Sequence, residues 1–201
     1  MSAAGYRHQH GVILLVAMVT ALALAFAGMS LVRAVSTGVV IGGNLNARQH
    51  AMLAASAALE HDVTALFESA AIDTSSDDPA HNYFASRRAG EDPRGVPGIL
   101  QTLADYPATW TPIDAGGGYF ARHVIERLCV VPGIASPANC TLTPPSVEAA
   151  SSARLPGEPQ RKPHYRITIR VDGPGAAAAF VQSVVSDRRP NPRLSWRALD
   201  E

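Results

Sequence analysis

The chain has 201 residues, 17 basic and 17 acidic side chains, and no formal net charge. That balance supplies no long-range field to draw in nucleic acid or an acidic surface. Setting aside about 32 apolar-biased N-terminal residues leaves about 170, enough for one core of ordinary size.

Residues 1–11, MSAAGYRHQHG, form a short polar leader that carries Arg7 and ends in Gly11. From Gly11 to Val32 run 22 residues without an ionisable side chain. As an α-helix this stretch rises about 33 Å, enough to cross the ~30 Å hydrocarbon core of a bilayer. A helix satisfies its own backbone hydrogen bonds in lipid. The apolar run is longer than that of an ordinary signal peptide, although small residues at Ala21, Ala23, Ala25 and Ala27 leave cleavage within it open. Arg7 precedes the run and Arg33 and Arg48 follow it, so basic residues barely favour one orientation.

All 15 prolines lie at Pro79 or later. A proline-free tract suits one long helix, because interior proline costs about 3 kcal/mol. Leu45, Met52, Leu59 and Leu66 recur every seven positions with Val63 beside them, which predicts an apolar stripe. Ala47, Ala51, Ala54, Ala55, Ala57 and Ala58 favour helix and allow close packing. Residues 12–68 as a single helix would extend about 86 Å. Gly38, Gly42 and Gly43 lower its propensity by about 1 kcal/mol each, a point where it can bend or unwind.

Residues 71–118 are rich in turn-forming residues, with a short strand expected near Thr109–Ile113. Tyr119–Val131 reads as a strand, and Pro132–Pro163 as a loop. In His164–Asp172, Tyr165, Ile167, Ile169 and Val171 alternate with Arg166, Thr168 and Arg170, a clear strand. Gly173-Pro174-Gly175 turns the chain into a second strand, Ala177–Val185, and the tail PRLSWRALDE is a candidate edge segment. The fold class predicted is α+β, a long N-terminal helix whose outer half packs on a small antiparallel sheet of three or four strands. Cys129 and Cys140 are the only cysteines. They form one disulfide if their domain faces an oxidising compartment, and stay reduced thiols otherwise.

No nucleophile elbow, phosphate-binding loop or C-x-x-C pair occurs. His50 and His61 sit on one helical face about 16 Å apart along the axis, too far to share a metal, and are read as solvent-facing. His123 and Glu126, three apart in a strand, point to opposite faces. Asp73, Ser75 and Asp77 imitate the start of a calcium loop, but Asp78 stands where the glycine belongs and Phe84 where the closing glutamate belongs, so a solvated loop is expected. Arg166 and Arg170, with Arg122, line one side of the sheet. A basic face can bind phosphate backbones, but no aromatic residues interleave with the arginines, and an ordinary solvated face is expected. No catalytic residue, cofactor or metal ligand set is predicted, and an enzyme is not expected.

A leader ending in glycine, an apolar helix continuing into an amphipathic one, and a small sheet domain resemble a type IV pilin precursor. QHGVILLVAMVTALALAFAGMSLVRA, IGGNLNARQHAMLAASAALEHDV and the closing YRITIRVDGPGAAAAFVQSVV are similar to PilX-type minor pilins. The resemblance implies a leader at 1–11, a transmembrane half-helix at 12–32, an amphipathic half at 33–70 and a periplasmic sheet domain at 71–201. It implies processing by a prepilin peptidase between Gly11 and Val12, methylation of the new terminus, and passage from the inner membrane into a filament. Other minor pilins and a tip adhesin would be partners, with no nucleic acid. Most pilins carry glutamate at the fifth mature position. Here that residue is Val16 and nothing acidic precedes Glu60, which fits the minor-pilin subgroup and argues against a major pilin. The alternatives are a single-pass membrane-anchored periplasmic protein, a type II secretion pseudopilin outside any pilus shaft and, less favoured, a membrane-anchored enzyme.

Overall fold

In the computed structural model the described residues are 10–68, 72–143, 161–174, 178–187 and 191–199. The leader residues 1–9, most of the loop after Cys140, Ala177 and the last two residues of the tail lie outside them. The chain divides into two compact units, residues 1–46 and 47–201. A long N-terminal helix and a mostly antiparallel sheet make the fold α+β.

Helix α1 runs His10–Phe67. It is the one helix among the described residues long and apolar enough to cross a membrane. It passes without interruption through Gly38, Gly42 and Gly43, against which nothing packs. Its hydroxyls bond to carbonyls one turn back: Thr20 Oγ1 to Val16 O at 3.0 Å, Ser30 Oγ to Phe26 O at 2.9 Å, Thr37 Oγ1 to Arg33 O at 3.0 Å. Each of these hydroxyls is thus satisfied by the helix itself.

In the second unit the helix buries Ala51, Ala54, Ala55, Ala58, Leu59, Asp62 and Leu66. This stripe advances by three and four, not by seven. A strict seven-residue repeat drifts about 20° per heptad around a straight helix. Leu59 and Leu66 therefore reach the core, Met52 lies at its margin, and Leu45 is exposed. The alanines bring the helix backbone close to the sheet.

The remaining elements are β1 (Tyr83–Phe84), α2 (Gly98–Gln101), β2 (Ile113–Asp114), β3 (Phe120–Arg127), β4 (His164–Asp172), β5 (Ala178–Ser186) and β6 (Arg193–Ala198). The sheet runs β1-β3-β4-β5-β6, and β2 also pairs with β3. All pairings are antiparallel except β1 with β3. The tail does form an edge strand, β6. The strand expected at Tyr119–Val131 is shorter, because Cys129 N–H turns back onto Arg127 O at 2.7 Å and ends the ladder. Cys129 and Cys140 are joined by a disulfide, their Cα atoms 4.0 Å apart. The strand expected at Thr109–Ile113 shrinks to β2, because Trp110 N–H bonds to Pro107 O at 3.0 Å in a turn. That turn places the indole in a second core.

The second core lies on the sheet face away from α1. Tyr165, Ile167, Ile169 and Val171 of β4 pack towards the helix. Phe84, Val96, Leu100, Tyr106, Trp110, Val124, Phe180 and Leu199 form the other cluster, much of it from the loop-rich 71–118 stretch. Arg166 and Arg170 are therefore not on a solvated face, contrary to the sequence expectation. Arg166 Nη2 lies 2.6 Å from Glu126 Oε2 and 2.6 Å from Glu91 Oε1. Arg170 Nη1 donates to the Leu100 and Gln101 carbonyls, and Asp172 bridges Arg122 at 2.6 Å and Arg170 at 2.8 Å. The aromatic partners come from other segments, with Arg88 over Phe84, Arg170 over Phe180 and Arg122 over Tyr106. A polar layer thus fastens the loops to the sheet. Breaking one buried member of such a pair costs about 3–5 kcal/mol.

Candidate functional site

Two places carry chemistry beyond packing. The first is the apolar part of α1 from Val12 to Ile41, whose large apolar side chains are all exposed, Val12 at 61% and Leu24 at 73%. A soluble protein does not leave such a continuous surface bare, so it marks a contact with lipid or protein. The Gly11–Val12 bond lies in the first turn of α1, and Val16 is exposed and uncharged.

The second is a pocket of about 330 Å³ in the sheet unit, walled by α1, the Asp78–Asn82 turn, the Thr109–Ile113 segment and β3. The turn is built locally. Asp78 caps a 3₁₀ turn at Pro79–His81, accepting from Ala80 N at 3.0 Å, and its other oxygen meets His81 Nδ1 at 2.7 Å. Asn82 closes the turn in the left-handed region at φ 53°, which asparagine tolerates. Its carbonyl then accepts from Ile125 N at 2.9 Å, which starts β1 beside β3. This places Asn82 Nδ2 3.0 Å from Tyr106 Oη, to which it donates, and 3.1 Å from His123 Nε2.

His123 projects from β3 towards the helix and Asp62 from α1 towards the sheet, with Nε2 and Oδ1 3.4 Å apart. Asp62 is 1% and His123 6% exposed. Asp62 Oδ2 and His123 Nδ1 have no hydrogen-bonding partner among the described protein groups. Burial holds the Asp62 carboxyl well above the usual carboxylate range. Burial, aided by nearby His61, pulls the imidazole of His123 down to about 4. The pair therefore favours a neutral ring beside an acid that resists ionisation.

His50 and His61 are both exposed; His50 stacks on Tyr119 and His61 Nδ1 lies 3.3 Å from Asp62 Oδ1. His123 and Glu126 do face opposite sides, the first towards α1 and the second towards Arg166. The carboxylates of the calcium-like stretch serve the backbone instead. Asp73 accepts from Ser75 N at 2.9 Å, Asp77 from Ala85 N at 2.8 Å, and Asp78 caps its turn. Sequence reasoning missed Asp62 altogether. The signal was present: residue 62 follows Ala55, Ala58 and Leu59 by seven, four and three, which places it in the buried stripe.

No family model, curated protein or solved structure matches the chain. What the molecule offers is its own architecture: an N-terminal apolar helix whose C-terminal part packs on an antiparallel sheet, with a disulfide beside it. The architecture is pilin-like. A pilin-like chain of this build is compatible with a single-pass anchor, and its apolar half-helix has the length to span a bilayer.

Proposed function

We propose that this pilin-like chain is a minor pilin of the PilX type, a structural subunit that helps initiate or cap a type IV pilus. It is made as an inner-membrane precursor with the sheet unit in the periplasm, is cut by a prepilin peptidase between Gly11 and Val12, and moves to the pilus tip with other minor pilins and a tip adhesin. The observation that supports this most is the uninterrupted helix whose first part is bare and apolar and whose second part is sheet-packed. Such a helix can exchange lipid for the apolar interior of a filament with its backbone hydrogen bonds intact.

Val16 sets the copy number. A mature subunit brings the ammonium of Val12 into an apolar bundle, where an unpaired charge costs several kcal/mol. Identical copies of this chain supply no carboxylate near that ammonium, because nothing acidic precedes Glu60. A terminal position, beside a partner that carries a glutamate, avoids stacking such charges. Mass spectrometry of the mature protein is expected to show a start at Val12. Immunogold labelling of sheared pili is expected at tips only. An intact Met1, or a start among Ala21–Ala27, would favour an anchored periplasmic protein; label along the whole shaft would refute the terminal role.

A further inference from the structure

Several carboxylates of the sheet unit are matched with an arginine. Glu126 has Arg166, Glu91 has Arg87 and Arg166, Asp92 has Arg94, Asp172 has Arg122 and Arg170, and even the exposed Glu60 has Arg193. Asp62 differs from these in being buried with one oxygen unpartnered among the described groups. It is as buried as Glu126, yet among the described residues its ion-pair partners are His61 and His123, and no arginine or lysine lines the pocket it helps to wall. Asp62 Oδ2 is thus open to a donor from outside the described chain, and a cation placed against it would favour the ionised form that burial alone disfavours.

The walls favour one kind. An anion would meet Asp62 and no positive residue. A metal ion would need three ligating side chains, and no such group occurs among the described residues. His81 is turned to Asp78, and His123 Nε2 to Asn82. Trp110 brings an aromatic ring to the lining, with Thr109, Thr111 and Asn82 as polar neighbours. Aromatic faces attract cations, more strongly when desolvated. At about 330 Å³ the space is at the small end of ligand pockets and suits a head group with a short stem. A planar guanidinium can present two N–H groups to one carboxylate.

We propose that this pocket is a binding site for an organic cation, a guanidinium or primary ammonium group, with Asp62 as its counter-ion and Trp110 as its aromatic wall. His61 also lines the pocket, its exposed ring 3.3 Å from Asp62 Oδ1. The inference does not depend on the filament reading. The cation is either a free small molecule or a side chain of a partner polypeptide.

The test uses the full chain in detergent micelles with Trp196→Phe, so that Trp110 alone reports. Arginine amide is expected to give a saturable fluorescence change with Kd at or below about 1 mM. Citrulline amide, its neutral isostere, should bind at least about tenfold more weakly, and Asp62→Asn should lower arginine amide affinity by a similar factor, with far-UV circular dichroism confirming the fold. A Gly-Gly-Arg-Gly-Gly peptide separates the sources: tighter binding than the amide supports a polypeptide partner, and equal binding supports a free cation. No saturable change with either probe, an equal response to citrulline amide, or an undiminished response in Asp62→Asn would overturn the proposal.

Discussion

Asp62 and His123 make opposite contributions to stability as pH changes. The ring of His123 titrates at about 4 in the fold against an ordinary 6.5. The stability linked to it is present above 6.5 and lost as pH falls towards 4. Asp62 is raised from 3.8, so its contribution is present below 3.8 and lost as pH rises through its higher folded value. The groups facing the pair are His61 on α1, Asn82 and Tyr106 from the loops, and the Asp78–His81 pair across the pocket. In the native chain the two contributions therefore change with pH in opposite directions. Asp62→Asn removes one of them. We expect it to raise stability by about 1–3 kcal/mol at pH 7, with little gain at pH 4. Urea titrations of both proteins across that range check this, and a variant less stable at pH 7 would show that the carboxylate is already satisfied.

On the helix, size and importance part company. Leu53 is 67% exposed, whereas Ala55 is fully buried against the sheet. Ala55→Leu must push α1 off the sheet and should cost about 1–3 kcal/mol, while Leu53→Ala should change stability by under about 0.5 kcal/mol. Denaturant midpoints distinguish the two. The disulfide closes a short loop beyond β3; Cys129→Ser should cost up to about 3 kcal/mol in the chain-entropy model, read as a lower midpoint in non-reducing buffer. The helix, the β4–β5 hairpin and the edge strand were legible because period and alternation are local signals. The 71–118 segment was legible only as irregular. Its role depends on where Trp110, Leu100 and Phe84 land after folding, and on carbonyls of Leu100 and Gln101 that meet Arg170 from about 70 residues away. No local pattern encodes that. The arginines read as solvated because strand alternation gives a side but not what covers it. The pocket needed Asp62, Asn82 and His123 from three separate elements.

At the scale of the whole chain, sequence distance orders the contacts. The β4–β5 pairing joins near neighbours, whereas Gln182 holds the Gly95 carbonyl across 87 residues and Arg166 reaches Glu91 across 75. Closing long loops is slow and delays the contacts that depend on it. The hairpin and its ladder with β3 should therefore form first, and the 86–101 segment should settle over them last. Until it does, Arg87, Arg88 and Arg94 stay open to proteolysis. A brief trypsin pulse during refolding is expected to cut after these three while the Arg166 and Arg170 bonds are already protected. Simultaneous protection of both sets would show a single concerted step.

The polar layer on the far face of the sheet thus also acts as a clock. Its arginines and glutamates are comfortable in water, so the half-folded chain does not bare a second greasy surface while it waits. Phe180 and Val124 are the main apolar side chains that β5 and β3 leave uncovered in that interval. The folding chain gains time from this arrangement, since charged surfaces discourage chance association until the last segment closes.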